Sequence, residues 1–140
     1  MTRVVREADL PKLAAELVGA LPPRAVLWLT GELGAGKTTL ARAVVAALGA
    51  TDRATSPTFG LVHRYPTEAG PVFHVDCYRL RSPEEASEID WGELEEGRLL
   101  MVEWPDRGGG WVPRPALTVR LEPGPGPETR VIHWTAGEGA

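Results

Sequence analysis

Ala25-Val26-Leu27-Trp28-Leu29-Thr30, followed at once by Gly31-Glu32-Leu33-Gly34-Ala35-Gly36-Lys37-Thr38-Thr39, is the stretch on which the reading of this chain turns. Its opening run is apolar without alternation, the mark of a strand covered on both faces, as in a parallel sheet. The glycine-rich part follows the pattern Gly-x-x-x-x-Gly-Lys-Thr. From Lys37 onward Leu40, Ala41, Val44, Val45 and Leu48 recur at helical spacing, and Gly49 is a natural terminator. A strand before the glycines and an amphipathic helix after them are the context that separates a phosphate-binding loop from an ordinary turn.

That context dictates a chemistry. Glycines let successive backbone N–H groups turn toward one centre, and the following helix adds partial positive charge. Gly31, Glu32, Leu33, Gly34, Ala35 and Gly36 are therefore expected to cradle polyphosphate. Lys37 is expected to reach the β- and γ-phosphates of ATP, Thr38 to offer its hydroxyl to magnesium (Mg2+), and Thr39 to touch the α-phosphate. Lys12 and Lys37 are the only lysines among 15 basic residues, and a compact ammonium suits such a loop better than a planar guanidinium. The other glycine run, Gly108-Gly109-Gly110, lacks Lys-Thr and a following helical pattern, so it reads as a hinge or turn.

A phosphate loop of this kind works with an acid at the end of a neighbouring strand and a group that orients the attacking water. Two carboxylates fit by position. Asp76 closes Val72-Phe73-His74-Val75, where period two sets His74 and Asp76 on one face and Phe73, Val75 and Cys77 on the other. Glu103 closes Leu99-Leu100-Met101-Val102. Spacing leaves open which acid is on the metal side, so Thr38, Asp76 and Glu103 are the candidate magnesium ligands and Lys37, Asp76 and Glu103 the candidate catalytic group. His74 with Asp76 supplies too few ligands for a separate metal site and reads as an oriented hydrogen-bonding histidine. Ser56-Pro57-Thr58 is ordinary turn chemistry. It also lies between the loop's helix and the next strand, where switch segments sense a γ-phosphate, so Thr58 joins the candidate nucleotide contacts.

Outward from this centre, Asp9 is expected to cap a helix with Pro11 in its first turn and an apolar face of Leu10, Leu13, Ala14, Leu17, Val18 and Leu21. Residues 59–65 and 72–78 read as an antiparallel hairpin across the turn at 66–70. Ser82-Pro83-Glu84-Glu85 has the capping-box pattern and predicts a short acidic helix running toward Asp90. Leu117, Val119 and Leu121 alternate with polar residues and can pair with 131–134 across the Pro-Gly turn, a terminal hairpin. The predicted architecture is α/β. It is a P-loop NTPase-like three-layer fold, with a largely parallel central sheet flanked by helices and antiparallel hairpin additions, in one nucleotide-binding domain spanning residues 1–140.

Composition bounds the function. With 43% apolar and 24% charged residues the chain is of ordinary globular type. No run approaches the roughly 18 apolar residues of a membrane span and no apolar signal core opens it, so a cytoplasmic protein with no membrane partner is expected. A single cysteine, Cys77, excludes an internal disulfide and a multi-thiolate zinc site. The net charge of −4 argues against a broad phosphate-neutralising surface, so any RNA should be held by a partner. The acidic run from Glu84 to Glu96 reads as a solvated face, or as a docking surface for a basic partner.

Taken together, Gly31-Glu32-Leu33-Gly34-Ala35-Gly36-Lys37-Thr38-Thr39, Ser56-Pro57-Thr58-Phe59, His74-Val75-Asp76-Cys77-Tyr78-Arg79-Leu80 and Val102-Glu103-Trp104-Pro105 resemble the motifs of the TsaE (YjeE) family. Order and spacing agree over essentially the whole chain. The resemblance implies a bacterial ATPase required for threonylcarbamoyl modification of adenosine next to the anticodon in tRNAs that read codons beginning with adenine. It implies that the protein does not itself perform the transfer. It would act with the TsaB–TsaD complex, supporting repeated turnover by ATP hydrolysis and meeting tRNA only indirectly. By the same resemblance Lys37 and Thr38 match the phosphate and magnesium residues, Thr58 a switch-like loop, and Asp76 the acid of the second motif. Glu103 and Trp104 match an acid and an aromatic near the nucleotide. Two other readings of the loop are a nucleotide-gated protein-binding module with negligible hydrolysis and a small-molecule kinase, although no arginine-rich lid stands out. No Asn-Lys-x-Asp pattern supports guanine.

Overall fold

The apolar run Ala25–Thr30 is strand β2, and it forms the middle of the sheet. The structure, a computed structural model, describes residues 1–50 and 61–138, so Ser56, Pro57, Thr58 and Phe59 lie outside the described residues. The other strands are β1 (Thr2–Arg6), β3 (Val62–Tyr65), β4 (Val72–Asp76), β5 (Leu99–Glu103), β6 (Leu117–Pro123) and β7 (Thr129–Ala136). They join in the order β1-β7-β6-β2-β5-β4-β3. The inner strands β6, β2, β5 and β4 run parallel, and β1, β7 and β3 are added antiparallel. Both predicted hairpins are present, β3 with β4 and β6 with β7.

The missing alternation in β2 and β5 has the expected cause, since both faces of the sheet are covered. Leu27, Leu29, Leu99 and Met101 pack with helices α1 (Leu10–Gly19) and α2 (Lys37–Ala47). Val26, Leu100 and Val102 face the other way, into a second core with Val75, Cys77, Ala86 and the short helix α3 (Trp91–Glu95). Each leucine that leaves water completely contributes roughly 1.5–3 kcal/mol. Burying both faces of a parallel strand is therefore what anchors the loop that follows it.

Three local expectations are corrected. Asp9 does not cap α1: its backbone is already helical, at φ −87 and ψ −11, inside a 3-10 turn over Glu7–Asp9. Its carboxylate instead accepts the Arg6 N–H at 2.9 Å. The capping box at Ser82 does not close either. Glu85 accepts from the Arg81 N–H, and Pro83–Glu88 is 3-10 helix. The acidic helix then breaks at the extended, buried Ile89 and restarts at Trp91, where Asp90 accepts the Glu93 N–H. The third correction is that β4 stops at Asp76 rather than Tyr78. The Asp76 carboxylate accepts the Tyr78 N–H at 2.9 Å and turns the chain into a 3-10 helix over Cys77–Arg79.

Among the described residues no helix is long and apolar enough to cross a membrane. The carboxylates Glu84, Glu88, Asp90, Glu93, Glu95 and Glu96 are exposed, in keeping with a solvated face.

Candidate functional site

The glycine-rich loop leaves the carboxyl end of β2 and enters α2 through glycines whose conformations no other residue adopts cheaply. Gly31 sits at φ +138, and a Cβ there would lie 2.3 Å from the Leu121 carbonyl oxygen. Gly36, at φ +100, is the N-cap of α2. A Cβ on Gly36 would fall 2.2 Å from Nε of Arg130. Ala35 is buried in the core beneath the loop. Its side chain packs, while its N–H bonds back to the Glu32 carbonyl.

Lys37 lies folded over this loop. Its ammonium donates to the carbonyls of Gly31 at 2.6 Å and Glu32 at 2.8 Å and lies 4.8 Å from the centre of the Trp104 ring. Only 5% of the residue is exposed. A cation so far out of water must be matched by acceptors, and the two carbonyls and the ring face provide the match. The same groups keep the ammonium at the mouth of the loop.

The two acids arrive from the neighbouring strands. Leu29 of β2 is in register with Glu103 of β5, and Glu103 in turn with Asp76 of β4, so both acids stand at the carboxyl edge of parallel strands beside the loop. Crevices at that edge, where the strand order turns, are where open α/β sheets take their ligands. Glu103 Oε2 lies 2.5 Å from His74 Nε2, both side chains being buried. This is the hydrogen-bonding role expected of His74. Asp76 uses Oδ1 for the Tyr78 N–H. Each acid is left with one carboxylate oxygen that has no hydrogen-bond partner among the described residues, and both acids line the cavity in front of the loop.

That cavity, about 290 Å³, gathers most of the residues chosen from the sequence. Leu33, Gly34, Gly36, Lys37, Thr38 and Thr39 form the loop side, and Asp76, Glu103 and Trp104 the opposing side. Gly31 and Glu32 lie outside it and border a neighbouring cavity with Arg120 and Glu122. Thr58 lies outside the described residues. The sequence reading missed two wall residues, Tyr78 and Arg130. Tyr78 stands inside the quoted His-x-Asp-x-Tyr run, where it carried no role of its own. Arg130 is remote in sequence and no local pattern marks it.

Trp104 has an unusual backbone, φ +54 and ψ +50, which a bulky residue adopts only under constraint. Its ring is 5.2 Å from that of Tyr78, and the Arg107 guanidinium lies 4.5 Å from Tyr78 and 5.3 Å from Trp104. This stack holds the indole over Lys37.

A larger open cavity, about 650 Å³, lies on the opposite face of β6 and β2, near Trp28, Thr118 and His133. Its arginines are already paired, Arg114 with Glu138 and Arg120 with Glu122. Among the described residues Asp106 is its one lining carboxylate outside those pairs, so it offers fewer unpaired charged groups than the loop cavity. Among the described residues no three His, Cys, Asp or Glu side chains gather as a metal cluster. Thr38, Asp76 and Glu103 offer a hydroxyl and carboxylates, a set of hard oxygens of the kind that suits magnesium when phosphate and water complete its shell.

Comparison with known proteins identifies the family and the fold. A family model described as "Threonylcarbamoyl adenosine biosynthesis protein TsaE" matches residues 4–132. The chain is 37% identical over 117 residues to the tRNA threonylcarbamoyladenosine biosynthesis protein TsaE of Rickettsia felis, covering 83% of this chain and 68% of that protein. It is 39% identical over 103 residues to the protein of the same name from Aquifex aeolicus, covering 72% and 73%. The crystal structure of Bacillus subtilis YdiB superposes with a TM-score of 0.77 at 26% identity, covering 97% of this chain and 84% of that one. The chain belongs to the TsaE family, and its fold is P-loop NTPase-like.

Proposed function

We propose, taking membership of that family as the premise, that this protein binds ATP with magnesium in the loop cavity and hydrolyses it in the cytoplasm. It would do so as a component of the tRNA threonylcarbamoyladenosine system, together with TsaB and TsaD. The observation that carries the reading is the meeting of Lys37 with Asp76 and Glu103 around one cavity at the carboxyl edge of the sheet. A loop cation with two acids on adjacent strands is the set that phosphoryl transfer to water requires.

The chain's own groups divide the work. An incoming triphosphate replaces the Gly31 and Glu32 carbonyls as partners of Lys37, so the ammonium exchanges two neutral acceptors for anionic ones. Glu103 lies one strand from β2 and Asp76 two. That order favours Glu103, with Thr38, as holder of magnesium, and Asp76 as the acid that orients and deprotonates water. His74 fixes the Glu103 carboxylate, and the Tyr78 N–H fixes that of Asp76. Magnesium, when bound, would neutralise charge developing on the β- and γ-phosphates.

ATP turnover by the purified protein, alone and with a TsaB–TsaD pair, tests this, with Lys37→Ala as the blank. Losing a charge-assisted phosphate contact should cost about 10- to 150-fold in affinity or turnover. Stimulation by the pair that is absent in the blank is the expected result. Unchanged ATP affinity in Lys37→Ala would refute the site. Tight ATP binding without turnover in either condition would leave a nucleotide-gated binding module instead.

A further inference from the structure

We infer that Arg130 is a nucleotide clamp: its guanidinium holds the α-phosphate end of the bound nucleotide, on the side of the loop opposite Asp76 and Glu103. The inference rests on the nucleotide reading above and assigns a residue that the loop motif does not contain.

Arg130 stands on β7, in register with Val5 of β1 and Pro123 of β6. Since β7 runs antiparallel to β6, its first residues lie at the same edge of the sheet as the phosphate loop. The backbone just before Arg130 is pinned. The Thr129 hydroxyl accepts the Gly126 N–H and donates to the Gly126 carbonyl, both at 2.9 Å, and the Gly124 N–H closes the turn on the Thr129 carbonyl. The Arg130 side chain then lies on the bare backbone of Gly36, with Nε and Cδ 2.2 and 2.9 Å from where a Cβ would stand. Gly36 is thus kept free of a side chain by the arginine as well as by its φ of +100.

Arg3, Arg114 and Arg120 each meet a glutamate, whereas the half-buried Arg130 makes no side-chain hydrogen bond or ion pair among the described residues and lines the loop cavity. A planar, permanently charged fork beside a phosphate cradle recognises phosphate oxygens.

Strand order decides which phosphate. Along the sheet β7 and β6 lie on one side of β2, and β5 and β4 with their acids on the other. The terminal phosphate belongs with the acids that act on it and on water. The wall across Gly36 therefore receives the other end of the chain of phosphates. An arginine acting there binds ATP and ADP equally, and it differs from one that meets the γ-phosphate only in the transition state.

Titration calorimetry of the full chain with ATP and with ADP, both with magnesium, tests the clamp in Arg130→Ala and Arg130→Lys. Arg130→Ala should weaken both nucleotides by the same factor, about 10- to 150-fold, and Arg130→Lys should recover part of it. In turnover with the TsaB–TsaD pair the loss should appear in KM rather than kcat. A loss confined to ATP, or a fall in kcat with KM unchanged, would overturn the clamp in favour of a γ-phosphate role. Unchanged affinity in Arg130→Ala beside tight wild-type binding would overturn it alone, whereas a wild type that binds neither nucleotide would overturn the nucleotide reading with it.

Discussion

Replacing Asp76 by Asn separates two tasks that the proposed mechanism gives to one carboxylate. Oδ1 of Asp76 accepts the Tyr78 N–H at 2.9 Å and so starts the turn Cys77–Arg79. The amide oxygen of Asn can accept the same bond, and Asn and Asp are nearly equivalent caps, so folding should change by less than about 0.5 kcal/mol. What Asn lacks is the charge and the capacity to take a proton. A positioned general base contributes about 10²–10⁴ in rate, which at 1.36 kcal/mol per tenfold is roughly 2.7–5.4 kcal/mol of barrier. Asp76→Ala removes the cap as well and should cost a further 0.5–2 kcal/mol or so of stability. The assay is steady-state ATP turnover with the TsaB–TsaD pair beside equilibrium nucleotide binding and urea unfolding. Asp76→Asn should bind ATP as the wild type does, unfold at the same urea concentration, and turn over at least 100-fold or so more slowly. Turnover within about threefold of wild type would show that Asp76 accepts no proton in the reaction, and the roles given to the two acids would have to be exchanged or abandoned.

Three further outcomes follow from the same geometry. Glu103→Ala leaves the buried His74 without its partner and should lower unfolding free energy by about 1–3 kcal/mol, while Glu103→Gln keeps an acceptor and loses less, as denaturant titration can establish. Burial first, and then the nearby Asp76, pushes the Cys77 thiol up to about 12, and the residue is fully buried. Iodoacetamide at pH 8 should therefore label it only after denaturation, and labelling of the native protein at a free-thiol rate would contradict the packing. Burial, and next the adjacent His74, hold His63 below its ordinary 6.5. As pH falls past that value the unfolded chain takes the proton first, so stability declines toward the lower folded value. His63→Gln should flatten that decline in urea midpoints measured between pH 7 and 5.

How much of this was legible in the chain depends on how local each cause is. β2, the loop and α2 were readable because every determinant lies within two dozen residues: an apolar run, glycines at fixed spacing and a helical period. Both hairpins were readable from their turns. The Ser82 capping box failed because Arg81 offered its N–H to Glu85 and because Ile89 is drawn into the core, so packing overrode a local pattern. The expected cap at Asp9 failed because the carboxylate found the Arg6 N–H one turn earlier. The acids Asp76 and Glu103 could be chosen as strand ends. That they adjoin, in the order β2, Glu103, Asp76, is a property of sheet topology that no spacing along the chain contains.

The walls of the cavity show the same limit more sharply. Arg130 reaches Gly36 because β7 folds back antiparallel along β6, and Trp104 covers Lys37 because the backbone reverses at once after Glu103. That reversal costs roughly 1–3 kcal/mol in a residue with a bulky side chain. A continued strand would carry the indole away from the loop. The cost is offset where the ring lands, against Tyr78, Arg107 and the Lys37 ammonium. The loop's one lysine is thereby enclosed by two carbonyls and an aromatic face rather than by water. On the proposed nucleotide reading, a cation enclosed in this way has less hydration to shed when phosphate arrives, so the strain at Trp104 would be spent on the readiness of Lys37.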